Sequence, residues 1–115
     1  MCTLVGCGEA VEMCVPLVTT PHIRVCRNEL CTEVVRGATE VYLKNEIGPV
    51  YQFEGCIATD ISEAARDGDI YTLTGFDANG DVVDEYRWTA TYEAYYPNGE
   101  ECGPECLRPS LTVVP

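Results

Sequence analysis

The clearest pattern in the chain is an alternation near its C-terminal third. Tyr86, Trp88, Ala90, Tyr92 and Ala94 occupy every second position, and Glu85, Arg87, Thr89, Thr91 and Glu93 fill the places between them. A repeat of two separates those sets onto opposite faces only in a β-strand. The aromatic set is therefore expected to face inward. Before it, Ile70–Asp77 reads as a second strand, joined through Ala78-Asn79-Gly80. Asn and Gly accept the positive φ that tight hairpin turns demand, so the pattern predicts a long antiparallel hairpin.

Shorter strand-like runs fill the rest. His22–Cys26 and Leu30–Val35 flank Arg27-Asn28-Glu29 as a second hairpin. Thr39–Lys44, Val50–Ile57 and Leu111–Val114 follow. One segment differs. In Asp60–Gly68, Asp60 and Glu63 have capping-box spacing, Ala64-Ala65 favour helix and Gly68 ends it, which predicts one short helical turn near 60–67. Residues 1–21, with Pro16 and a Thr19-Thr20-Pro21 end, are expected to be an N-terminal tether or edge segment. Residues 22–115 form the domain proper. The fold class that follows is all-β: an antiparallel β-sandwich of seven to eight strands.

The 115 residues make one domain. Net charge is −12, from nineteen acidic and seven basic residues. Such a field repels phosphate backbones and anionic lipid heads, which argues against nucleic acid as a partner. No apolar run has the length of a membrane span. The eight cysteines change the picture more: an even, dense set in a small chain implies a disulfide framework and an oxidising compartment. Zinc fits less well, because the spacings are C-x4-C and C-x3-C rather than C-x2-C, and His22 is the only histidine. Cys26 and Cys31 would meet across a tight hairpin, and Gly103-Pro104 would let Cys102 and Cys106 close a local bridge; Cys14 and Cys56 complete the expected set, with other connectivities left open.

Two local resemblances add expectations. Leu4-Val5-Gly6-Cys7 resembles a bacterial lipobox, which implies lipidation of Cys7, although only Met1 to Gly6 precede that cysteine. The alternative keeps all eight cysteines in bridges. Asp67-Gly68-Asp69-Ile70-Tyr71-Thr72-Leu73 resembles the D-x-G-x-Y-x-C corner of immunoglobulin-like domains. Asp67 and Tyr71 match the acid and the corner tyrosine, whose hydroxyl the resemblance directs back to the turn's backbone. Gly68 comes one place early, Leu73 stands where that family has cysteine, and Trp88 follows the hairpin instead of lying in a middle strand. The layout is also similar to short bacterial envelope proteins with a C-x4-C hairpin and a PNG-x-x-CGP-x-C ending, a likeness that implies no activity.

Candidate chemistry is sparse. Asp77, Asn79 and Asp81 look like the first half of a calcium loop, but Val82 and Trp88 stand where its glycine and its last acid belong, so a plain turn is expected. A catalytic triad would depend on the lone His22. No cofactor and no enzymatic activity are expected. Tyr95-Tyr96 breaks the alternation, so one ring should point outward; both are candidate partner contacts. The reading that results is a secreted or lipid-anchored, non-catalytic binding or structural module outside the cytoplasm or in the cell envelope. Its partner would be an extracellular protein or polysaccharide. The alternative is an inhibitor or effector presenting a cystine-tied loop, Glu100–Cys106, to an enzyme.

Overall fold

A computed structural model of the chain describes residues 7, 9–15, 20–35, 41–53, 56–99, 101–102 and 105–114. Among the described residues nine strands run in order: β1 (Ala10–Cys14), β2 (His22–Arg27), β3 (Leu30–Val35), β4 (Val41–Asn45), β5 (Val50–Phe53), β6 (Cys56–Asp60), β7 (Asp69–Phe76), β8 (Val82–Tyr95) and β9 (Cys106–Val113). They form two antiparallel sheets, ordered β1-β6-β5 and β4-β3-β2-β7-β8-β9.

The sheets meet in one hydrophobic cluster. Val11, Met13, Val50 and Ile57 come from the small sheet, and Ile23, Val25, Val34, Tyr71, Leu73, Trp88 and Ala90 from the large one. The strands alternate as sheets with one buried face must. Trp88 is 7% exposed, so the aromatic stripe is an inner face through Tyr92. It fails at Ala94, which is exposed where β8 runs past the core.

Three expectations change. The described residues form nine strands where seven to eight were expected, in part because the N-terminal stretch, expected as a tether or an edge, supplies the edge strand β1, whose Val11 and Met13 are fully buried. The expected Val50–Ile57 strand is two, β5 and β6, which pair with each other. No helix occurs among the described residues. At 60–67, Ala65 donates to the Ser62 carbonyl and the Ser62 hydroxyl takes the Ala64 N–H, closing isolated turns. The eight residues between β6 and β7 are split between this turn and a second one, closed by the Asp69 N–H on the Arg66 carbonyl, and neither run is long enough for the costly first turn of a helix to propagate. No helix of the described residues is long and apolar enough to cross a membrane.

Candidate functional site

β8 is the longest strand, and the most distinctive surface lies on it. Tyr86 and Trp88, two residues apart on one face, stack with ring centroids 6.1 Å apart and planes at 21°. Trp88 reaches the core, while Tyr86 is half-buried. Above them opens a cleft of about 360 Å3, walled by Cys14 and Val15 from the end of β1, by Val113 and Val114 from the end of β9, and by Glu85 and Arg87. The walls are mainly apolar, and Arg87 lies 3.6 Å from Glu85 at the rim. The cleft exists because β8 outlasts β9. Val113 pairs with Trp88, so Tyr86 loses its cover on that side. A shaped apolar recess with an aromatic floor and a charged rim can seat one apolar side chain or ring.

A second polar cluster lies at the β2–β3 turn. Asn28 adopts φ 56°, in the left-handed region that asparagine tolerates better than most residues. Its side chain accepts from the Ile70 N–H at 2.9 Å and donates to Asp69 Oδ1 at 3.0 Å. Asp69 Oδ2 accepts from the Arg66 N–H at 3.1 Å and from the Tyr92 hydroxyl at 2.8 Å. Burial works against the Asp69 charge, but those three donors and the nearby Arg27 outweigh it and hold its carboxyl below the usual range. The Tyr71 hydroxyl lies 3.2 Å from that of Tyr92, and burial pushes both phenols up, with Asp69 adding to the rise. The corner tyrosine therefore bonds another tyrosine and not the turn's backbone, while Asp67 takes the Tyr92 N–H at 2.7 Å. These atoms satisfy one another, so the cluster is a brace.

The remaining expected residues separate. Asp77 Oδ1 accepts the N–H groups of Asn79 and Asp81, both at 2.9 Å, and Gly80 has φ 85°, so DANGD is a self-capped turn. Among the described residues no group of three or more His, Cys, Asp or Glu side chains is placed to hold a metal ion. His22 packs on Phe76 with centroids 4.9 Å apart, and its Nε2 lies 3.7 Å from Glu33. The Tyr95 hydroxyl donates to Glu9 at 3.3 Å, and Arg108 covers its ring at 4.7 Å, which leaves Tyr96 as the outward ring, 39% exposed. Next to Glu9, the seam between β1 and β9 is lined by Glu12, Asp60, Glu63 and Glu105.

Disulfides join Cys26 to Cys31 and Cys14 to Cys56, each across directly opposed residues with Cα atoms 4.1 and 4.0 Å apart. Cys106 bridges Cys7, 99 residues away, and not Cys102, which is disulfide-bonded elsewhere. The local Cys102–Cys106 bridge is thus replaced. A sulfur held in a cystine carries no thioether-linked lipid, so the Cys7–Cys106 bridge and lipidation of Cys7 are alternative fates of one atom. In the loop Glu100–Cys106, residues 100, 103 and 104 lie outside the described residues.

The missed feature was the cleft. Its parts, Val15 and Val113–Val114, are sequence neighbours of nothing aromatic, and only the unequal ends of β8 and β9 bring them over Tyr86. No protein-family model, curated protein or solved structure matches the chain.

Proposed function

We propose that the chain is an extracytoplasmic, non-catalytic binding module of immunoglobulin-like architecture, with the cleft over Tyr86 and Trp88 as its ligand seat. Strand order supports the architecture. Variable-type immunoglobulin domains place strands B, E and D in one sheet and C″, C′, C, F and G in the other. If β1 to β8 are taken as B through G in chain order, both sheets follow that order, and β9 is an addition beyond G. Asp67 and Tyr71 then fall at the entry to strand F, where that family has its tyrosine corner. Leu73 replaces the second family cysteine, and Cys14 bridges β6 within its own sheet.

The disulfides fit an oxidising compartment. The observation that carries the binding role is the cleft itself: an open, mainly apolar recess ending on a tryptophan, held between a cystine-anchored β1 and β8. A rigid wall of this kind limits the entropy lost on binding.

Immobilised oxidised protein should retain a specific protein or polymer from extracellular fractions of its source. Tyr86→Ala should abolish retention, while Tyr95→Ala should not. Titration of the denatured, unreduced protein should find no thiol. Several free thiols, or capture indifferent to Tyr86, would sink this reading; selective capture of a hydrolase would turn it toward an inhibitor.

A further inference from the structure

The Cys7–Cys106 bridge has an unusual electrostatic setting. Both of its cysteines line a cavity of about 290 Å3 whose wall also carries Glu9, Asp60, Glu63 and Glu105. Four acidic side chains share that small space with a cystine, and among the described residues no basic side chain lines it. The two halves of the bridge are unequal. Cys7 is exposed, whereas Cys106 is 1% exposed. The Cys26–Cys31 bridge has the opposite surroundings: Arg24 lies two places from Cys26, on the same face of β2, and Arg27 adjoins it.

A disulfide exchanges when a thiolate attacks one of its sulfurs. With Cys106 closed to solvent, attack falls on Cys7. A bond forms between the incoming sulfur and Cys7 Sγ, and the Cys7–Cys106 bond breaks. Its electron pair leaves with Cys106, which takes a proton from water. One disulfide and one thiolate go in, and a mixed disulfide and a thiol come out. The attacking thiolate brings negative charge into a space already held by carboxylates, and at separations of a few ångströms salt screens their repulsion least. A thiolate with an ammonium group beside its sulfur enters as a zwitterion and avoids that repulsion.

We propose that Cys7 is a thiolation site selective for small thiols that carry positive charge, with Glu9, Asp60, Glu63 and Glu105 as the selecting groups. The cavity has room for a small molecule and no more. This site goes beyond the binding reading and shares no residue with the cleft over Tyr86.

The test uses the oxidised protein and three thiols, cysteamine, mercaptoethanol and mercaptopropionate. Their thiolates are respectively neutral overall, singly negative and doubly negative. Rates are compared per thiolate at low salt, released thiols are trapped by alkylation, and peptide mapping locates each adduct. At Cys7 the rate should fall about fivefold for each added negative charge, and at Cys26–Cys31 about twofold or less. High salt should bring the two dependences together. Glu63→Gln should raise the mercaptopropionate rate at Cys7 about threefold. Asp81→Asn removes the same charge at the opposite end of β8 and should leave that rate unaltered. An equal charge dependence at the two bridges would overturn the proposal, as would a Glu63→Gln rate no higher than that of the parent. So would an adduct on Cys106 in place of Cys7, or a Cys7–Cys106 bridge that none of the three thiols opens.

Discussion

Tyr92 donates its hydroxyl to Asp69 at 2.8 Å, and this contact ties the last third of β8 to the first residue of β7. Asp69 is itself buried. A buried carboxylate that loses a donor keeps its desolvation cost without the compensation. Tyr92→Phe should therefore lower unfolding free energy by about 1–3 kcal/mol. Urea denaturation would measure it, and an unchanged midpoint would show that water replaces the hydroxyl.

The same carboxyl gives stability a pH dependence. Asp69 titrates below its ordinary value of 3.8 in the folded protein. Its contribution is thus complete above the unfolded value and is lost as pH falls through the lower, folded one. Urea midpoints followed downward from neutral pH should fall in that acid window. Asp69→Asn should lower the midpoint at neutral pH and flatten the acid limb; a limb as steep as before would assign it to other carboxyls.

Within the stripe, burial ranks the side chains. Trp88→Ala should cost about 3–5 kcal/mol by emptying part of the core. Val83→Ala, on the exposed stretch before it, should stay within about 0.5 kcal/mol. Thermal melts of the two variants would separate core from rim.

The disulfides should differ by the length of chain they close. Cys26–Cys31 spans 5 residues and Cys7–Cys106 spans 99. In the chain-entropy account their removal costs about 2 and about 5 kcal/mol respectively. Paired Cys→Ser variants compared by denaturation would test the order. A larger loss at the short bridge would mean that hairpin packing, not loop closure, dominates there.

Much of the fold is legible in particular residues. The alternation from Tyr86 to Tyr92 gives a strand with one buried face, and Asn79-Gly80 gives its turn. Cys26 and Cys31 flank a two-residue hairpin and meet as the spacing implies. β1 is hidden because five residues ending before a proline carry too few alternations to distinguish a strand from a linker. β9 begins five residues ahead of the expected Leu111 and runs through Pro109; on an edge strand the missing N–H of that proline faces outward and breaks nothing. The local reading of Cys106 failed for a related reason: proximity in sequence favours Cys102, but β9 carries Cys106 to where Cys7 precedes β1. The cleft depends on where two strands stop relative to each other, which no local pattern encodes.

The Cys7–Cys106 bridge also fixes how the molecule responds to load. It closes nearly the whole folded chain into one covalent ring, with β9 and the chain end beyond it. Tension applied to the two ends can peel β9 away from β8 as far as Cys106, but no farther. Past that point the pull crosses from Cys7 to Cys106 through the cystine and not through the strands between them. The core between, from β1 to β8, is shielded from stretching and stays folded under force for as long as that bond remains oxidised.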